Sequence, residues 1–246
     1  LRDYDTIIYR QQVMQETENA TLKGYIISFT GALDKMRITL KNSEKYFYDY
    51  QKERAFLDAV ILYCRSVQTL YKDLSSYAIT SEGLSDFRGY LSAYTSSQKF
   101  VTLCDHAETL LSGLQKIRYE VLIDGLTVNV HAYQSDADYS KETEDIFSRF
   151  SFNPSHEYRE KTVDTNDINH VEASILKGVA LQYPQVFQQL LNFSNENNNF
   201  QDAVIMRFDR EIQFYIAYLD YINIIKSNGA QFCYPELSRT KENIYN

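Results

Sequence analysis

The sequence predicts a mainly α-helical chain, a bundle of long lever-like helices with a small clamp-like β-hairpin inserted in it. Glycine and proline are scarce, at 8 and 3 of 246 residues, while apolar residues make up 44%. That composition fits neither a disordered chain nor an all-β fold rich in turns. Apolar residues also recur at helical spacing, except in one short β-prone stretch. These observations together indicate helices with a single β insertion.

The first predicted segment, residues 1–115, is the first part of a helical core and lever. Residues 4–74 keep one side apolar at helical spacing, which indicates two or three helices. The pattern stops near Asn42 and Ser43, and either residue is able to cap the helix that follows. Residues 80–83 then begin a further pair of helices.

The second predicted segment, residues 116–168, is the clamp-like part. Two β-prone runs, 119–123 and 126–131, flank the dipeptide Asp124-Gly125. Both dipeptide residues tolerate a positive φ, so this pattern predicts a β-hairpin with a tight turn. The other expectations for this segment are a short helix over residues 138–150 and a polar loop over residues 151–167.

The third predicted segment, residues 169–246, contains further helices and an extended exit. A helical region opens at Asn169 and is broken or kinked at Tyr183-Pro184, because proline cannot donate a hydrogen bond and clashes with the preceding turn. A last helix is expected over about residues 200–227. Between residues 212 and 225 it is apolar nearly all round, so we expect other helices to enclose it.

The end of that last helix carries its own signals. Gly229 is placed for a left-handed C-terminal cap, and residues 231–235 are expected to form a short extended exit. The N-terminal residues 1–4 contain neither an initiator methionine nor the start of a signal peptide. We therefore expect this sequence to be a segment excised from a longer chain.

The net charge is -8, and an acidic body repels a polyanion unless basic residues are gathered locally. The three cysteines are Cys64, Cys104 and Cys233, an odd number without CxxC spacing, and the first two lie within apolar helical patterns. They are expected to be reduced cysteines of a cytoplasmic protein. No run of about 20 apolar residues predicts a membrane span.

Motifs for catalysis or cofactor binding are absent from the sequence. It contains no GxxxxGK[ST], GxGxxG, GxSxG or HExxH, and its four histidines stand apart without metal-ligand spacing. We therefore expect no catalytic residue, cofactor site or metal site, and no enzyme activity of this segment by itself.

Two features of the last helix have a structural and a functional interpretation. The charged run Asp209-Arg210-Glu211 is either a buried network or a solvated face, and Arg207 and Glu211 have the spacing of a helical ion pair. The aromatic stripe, which comprises Phe214, Tyr215, Tyr218 and Tyr221, is more typical of a core than of a platform for stacking bases. We expect the structural interpretation for both.

Five segments of the chain carry a resemblance to a known family. In chain order they are Tyr9-Arg10-Gln11-Gln12, Asn169-His170-Val171-Glu172-Ala173, Tyr183-Pro184-Gln185-Val186-Phe187, Phe208-Asp209-Arg210-Glu211-Ile212-Gln213-Phe214-Tyr215-Ile216-Ala217-Tyr218-Leu219 and Phe232-Cys233-Tyr234-Pro235. With these segments the chain resembles MutS-related DNA-repair ATPases in the region before their nucleotide-binding domain. The first resembles the opening of the helical core domain, and the second and third resemble the returning lever. Residues 116–133 correspond to the β part of the clamp.

The resemblance implies a lever and clamp that couple DNA contact to a distant ATPase domain outside this chain. It implies ATP and Mg²⁺ as cofactors of the full-length parent, no cofactor in this segment, and a homodimer of the parent. Double-stranded DNA is the implied partner of the clamp. The candidate contacts to the DNA backbone are the basic residues of that region, Arg118, Lys141, Arg149, Arg159 and Lys161.

One departure from a DNA-gripping clamp is the charge of this region. Residues 118–167 contain those five bases against eleven Asp and Glu residues, whereas phosphate binding gains from clustered Lys and Arg. An alternative hypothesis is therefore an acidic, tyrosine-rich scaffold that binds proteins and never meets DNA. An independent helical enzyme is the third hypothesis, and no nucleophile, base and orienting group can be assembled for it.

Overall fold

The computed structural model describes residues 3–124, 127–133 and 170–237. This part of the chain is mainly helical, with one small antiparallel hairpin, as predicted. Its elements in chain order are α1 (Tyr4–Thr17), α2 (Ala20–Ser43), α3 (Asp49–Ser76), α4 (Glu82–Thr95), α5 (Gln98–Gln115), β1 (Tyr119–Asp124), β2 (Thr127–Ala132), α6 (His170–Gln182), α7 (Pro184–Glu196) and α8 (Ala203–Ser227).

The centre of the fold is the pair α2 and α3, which pack along each other. At about 1.5 Å per residue these helices are roughly 36 and 42 Å long, and only residues 44–48 join them. Apolar residues at spacings of three and four build the shared face. The fully buried members are Leu22, Ile26, Leu33 and Met36 on α2, and Leu57, Val60, Val67 and Leu74 on α3.

The predicted stop after α2 is confirmed, but the predicted cap of the next helix is wrong. The Ser43 hydroxyl donates to the carbonyl of Leu40 at 2.7 Å, so Ser43 belongs to the last turn of α2. Helix α3 begins later, with Tyr48 at the N-cap position. The break between α1 and α2 is capped by Asn19, whose side chain accepts from the N–H groups of Thr21 and Leu22.

A buried carboxylate joins α1 to the start of α4. Glu16 accepts hydrogen bonds from the backbone N–H of Thr80 at 2.6 Å and of Ser81 at 2.8 Å. Burial opposes ionisation, but the hydrogen bonds from Ser81 and Thr80 outweigh it and hold the pKa of Glu16 below its usual value. The predicted start of a helix at residues 80–83 is confirmed.

The predicted break at Pro184 is also confirmed. Helix α6 ends at Gln182, and Pro184 is the first residue of α7, where its missing N–H costs no helical hydrogen bond. Helix α7 finishes at Glu196, within the asparagine-rich run 195–199.

The hairpin packs against α6. Its register pairs Tyr119 with Ala132 and Asp124 with Thr127, so Asp124 belongs to β1 and not to the turn as predicted. Gly178 permits a close approach, since a Cβ at that position would lie 2.7 Å from a methyl group of Val130. The connection at 125–126, the helix expected over 138–150 and the loop expected over 151–167 lie outside the described residues.

Two hydrophobic clusters organise the described residues. The larger one combines α1 to α5 with side chains of α7 and α8, including Leu190, Phe193 and Ile205. The smaller one lies beneath the hairpin around Val179 and Phe187. The first and third predicted segments therefore share one core. Within it, Cys64 and Cys104 are buried and free, as expected, and Cys233 is exposed.

The cap predicted at the end of the last helix is confirmed. Gly229 has a φ of +93°, in the left-handed region that favours glycine. Its N–H donates to the carbonyl of Lys226 at 3.0 Å, and the N–H of Ala230 donates to that of Ile225 at 3.4 Å. This pair of hydrogen bonds is the Schellman arrangement, which satisfies the last carbonyls of the helix.

Candidate interaction surface on the last helix

The beginning of α8 is anchored by a hydrogen-bonded network around Asp202. This carboxylate accepts from the N–H of Val204 at 2.9 Å and from the Tyr90 hydroxyl at 2.9 Å. The Asp202 N–H donates to the Tyr63 hydroxyl at 3.0 Å, and that hydroxyl lies 3.1 Å from the Tyr94 hydroxyl. Burial and the hydrogen bond with Tyr94 raise the pKa of Tyr63. The network fixes where α8 starts relative to α3 and α4.

A second anchor lies two turns further on, at Asp209. Its carboxylate is 1% exposed and accepts from the guanidinium of Arg37 on α2 at 2.7 Å and from the Gln213 amide at 3.1 Å. Beside it, the ring of Phe208 stacks on that of Phe87 with centroids 3.7 Å apart. A buried charge with these partners resists any shift of α8 along α2.

The two interpretations of the run Asp209-Arg210-Glu211 are both partly right. Asp209 is buried in a network, while Arg210 and Glu211 are on the exposed face. Arg207 and Glu211 are both exposed as well, and no ion pair joins them in the part of the chain that the structure describes.

The later half of α8 contradicts the expectation that it is enclosed. Four large apolar side chains on it are exposed, namely Phe214 (68%), Tyr218 (43%), Tyr221 (60%) and Ile224 (63%). The reason is that α8 packs on α1 and α2, which lie on one side of it and bury only Leu219 and Ile222 from the last two turns of this half. The interpretation of the aromatic stripe as core is therefore wrong for three of its members, while Tyr215 is half-buried.

The four exposed residues form one continuous surface, here called the α8 stripe. Their spacing of four, three and three residues places them along one side of the helix. The rings of Phe214 and Tyr218 are nearly parallel, with centroids 6.0 Å apart. Tyr218 and Tyr221 combine an apolar ring with a polar hydroxyl, which is typical of surfaces that bind proteins.

A groove continues the α8 stripe towards α1. It has a volume of about 520 Å³ and is lined by residues of α1, of α8 and of the segment after it. The residues are Ile7, Arg10, Gln11, Met14, Arg210, Glu211, Phe214, Tyr215, Tyr234 and Pro235. The lining is mostly apolar and also includes two arginines and one glutamate. Such a groove is suited to an apolar segment with polar flanks.

The segment after α8 closes one side of this groove. The Gln11 amide donates to the carbonyl of Pro235 at 3.1 Å, and the Tyr234 hydroxyl donates to the carboxylate of Glu18. Burial and that hydrogen bond raise the pKa of Tyr234. The exit segment at 231–235 thus lies against α1, where it continues the apolar surface.

Of the five predicted DNA contacts, the structure describes one, Arg118. Arg118 is exposed between α5 and β1, and its guanidinium donates to the carbonyls of Gln115 at 3.1 Å and Ile117 at 3.2 Å. This position satisfies the carbonyl end of α5. The other four predicted contacts, Lys141, Arg149, Arg159 and Lys161, lie outside the described residues.

The aromatic stripe was assigned to the core because a helix that is apolar nearly all round can be explained in two ways. It is either enclosed by its own chain or covered by another protein surface. The polar tips of Tyr218 and Tyr221 and the exposed acid Asp220 between them were the signal that favoured the second explanation.

Comparisons of the chain with family models, with curated proteins and with solved structures find no match. The resemblance to MutS-related ATPases therefore rests on the residues quoted above. Within the ranges that the structure describes, no helix is both long and apolar enough to cross a membrane. Over the same ranges, no three His, Cys, Asp or Glu side chains are grouped as metal ligands would be.

Proposed function

We propose that this chain is the lever and clamp segment of a MutS-like DNA-repair ATPase. It couples DNA contact at the hairpin end to a nucleotide-binding domain outside the chain. The observation that carries the proposal is the uncovered α8 stripe. It immediately precedes residues 231–235, which in the resemblance lead into the ATPase domain, so the missing cover is that domain.

The long helices supply the stiffness that such coupling needs. The α2 and α3 pair is connected to α8 by the partly buried ion pair of Arg37 with Asp209, and α3 also packs on α7. A displacement of the C-terminal end of α8 is then transmitted to α2 and α3 as a rigid-body movement, because packed helices do not deform continuously. The hairpin then moves together with α6, because β2 packs on that helix.

The first experiment is to extend the chain along its native reading frame. We expect a GxxxxGK[ST] motif downstream, Mg²⁺-dependent ATP hydrolysis by the full-length protein, and a homodimer. In the extended protein, amide hydrogens of residues 214–224 should exchange more slowly than in the present chain. A downstream region without that motif contradicts the proposal.

DNA binding distinguishes this proposal from the protein-interaction scaffold. The α8 stripe and the charge of -8 also suit a scaffold, whose partner would be a separate protein. The full-length protein should bind duplex DNA with an affinity that falls as salt rises. Replacement of Arg118, Lys141, Arg149, Arg159 and Lys161 by Gln should flatten that dependence. Absence of binding to any duplex at low ionic strength would favour the scaffold.

A further inference from the structure

A second cavity lies at the junction of the core helices with the returning pair α6 and α7. It has a volume of about 950 Å³ and is open to the surface between the end of α2, the start of α3, and α6 and α7. Its apolar walls include Phe47, Phe56, Leu176, Leu181 and Leu191. Two of these, Phe47 and Leu181, are 78% and 80% exposed, so the walls are largely uncovered.

One polar side chain of this cavity is buried without a partner. Glu53 is 7% exposed, and its Oε2 atom accepts no hydrogen bond from any residue that the structure describes. Leaving a buried carboxylate oxygen without a donor costs considerable free energy. Burial, with a smaller effect of the nearby Asp49 charge, raises the pKa of Glu53 to about 7.

None of the other titratable groups that line the cavity pairs with Glu53 among the described residues. Lys52 lies 3.5 Å from the carboxylate of Asp49, and Lys177 is exposed. The remaining titratable lining groups are Tyr48 and Tyr50. No described lysine or arginine pairs with Glu53. The space therefore combines apolar walls with one acidic acceptor in need of a donor.

We propose that this cavity binds a small organic cation in which an ammonium group is joined to an apolar body. The ammonium donates to the free Oε2 of Glu53, and the apolar body lies between Phe56, Leu176 and Leu191. A cation is favoured because it supplies both the donor and the opposite charge that a buried carboxylate requires. The site belongs to no part of the lever proposal and stands or fails independently of it.

The test uses n-hexylamine as the probe and amide NMR shifts as the readout. At pH 8 we expect saturable shifts around the cavity with a dissociation constant on the order of 1 mM, as suits a ligand of this size. Between pH 8 and pH 5.5 the affinity should fall by about thirtyfold, since a group with a pKa of about 7 becomes protonated. The amine stays charged over this range, because its pKa is near 10.

Matched variants and a matched ligand distinguish a cation site at Glu53 from an apolar cavity that binds any hydrophobic molecule. Glu53→Gln keeps the shape of the side chain and should weaken hexylamine binding at least tenfold at pH 8. Asp49→Asn removes an exposed carboxylate at the same cavity and should change it less than threefold. Hexanol, which has the same body without the charge, should bind at least tenfold more weakly. Equal binding of the two ligands, or unchanged binding by Glu53→Gln, overturns the proposal.

Discussion

The two halves of α8 have similar apolar content but different surroundings. In residues 203–212, Ile205, Asp209 and Ile212 are at most 2% exposed, and anchors reach α2, α3 and α4. In residues 213–227, the α8 stripe is open to solvent, and the ion pair of Asp220 with Lys23 is on the surface. The first half is held by its own chain, and the second half presents an apolar surface to solvent.

This difference teaches that apolar periodicity reports which side chains can be buried but not what buries them. A continuous hydrophobic stripe of this kind is unfavourable on a monomer, since such surfaces promote association. The presence of this stripe on a helix whose first half is well packed supports the proposed contact with a further domain. The comparison between the halves is testable, because each half offers the same residue types in opposite surroundings.

The largest expected effect comes from truncating one isoleucine in each half. Ile205→Ala should lower the free energy of unfolding by about 2 to 4 kcal/mol, because a fully buried side chain leaves a cavity. Ile224→Ala, at 63% exposure, should change it by less than about 0.5 kcal/mol. Urea unfolding followed by circular dichroism measures both. Equal effects would mean that the later half is also enclosed.

A second pair compares one aspartate in each half. Asp209→Asn removes a buried charge that pairs with the partly exposed Arg37, and it should destabilise the fold by about 2 to 3 kcal/mol. Asp220→Asn removes an exposed partner of Lys23 and should cost less than about 0.5 kcal/mol. Urea unfolding at pH 7.5 and at two salt concentrations tests this, because only the surface pair should weaken with salt.

A third comparison sets Asp209, a buried carboxylate with partners, against Glu53, a buried carboxylate that has no partner among the described residues. The folded-state pKa of Glu53 is raised to about 7, so the folded chain holds the proton more tightly than the unfolded chain. Glu53 therefore destabilises the fold as pH rises from about 4.5 through 7. Glu53→Gln should stabilise the protein by about 3 kcal/mol at pH 8 and by little at pH 4.5.

Thermal unfolding of wild type and Glu53→Gln from pH 4.5 to pH 8 measures that dependence. The difference between the two proteins should grow with pH. A constant difference would show that Glu53 titrates at its ordinary pKa. Asp49→Asn is the control, because its carboxylate is 85% exposed and should alter the pH profile only slightly.

Only a small effect on stability is expected from a double change in the α8 stripe itself. Phe214→Ser combined with Ile224→Ser should change the free energy of unfolding by less than about 1 kcal/mol, since both side chains are more than half exposed. The same variant should bind less of a fluorescent dye that reports exposed apolar surface. In the extended protein it should weaken contact with the proposed ATPase domain. Unchanged dye binding would contradict the stripe as an exposed patch.

Local chemistry was sufficient to predict much of the fold. Pro184 breaks the returning helices because it lacks an N–H, Gly229 caps α8 because it tolerates a positive φ, and the β-prone runs around residues 124–125 pair as a hairpin. These signals act over a few residues, so they do not depend on the rest of the chain. The exact turn did not follow, because strand register also depends on how the hairpin packs on α6.

What only the tertiary structure decided was which faces the helices share. The sequence contains Asp209, Glu53 and the residues of the α8 stripe. It does not state that Arg37 pairs with Asp209, that no described residue pairs with Glu53, or that the α8 stripe is uncovered. Each of these depends on residues far apart in the chain that meet only when the helices pack. The sequence by itself determined a set of helices and a hairpin, whereas long-range packing decided which of their surfaces remained available for function.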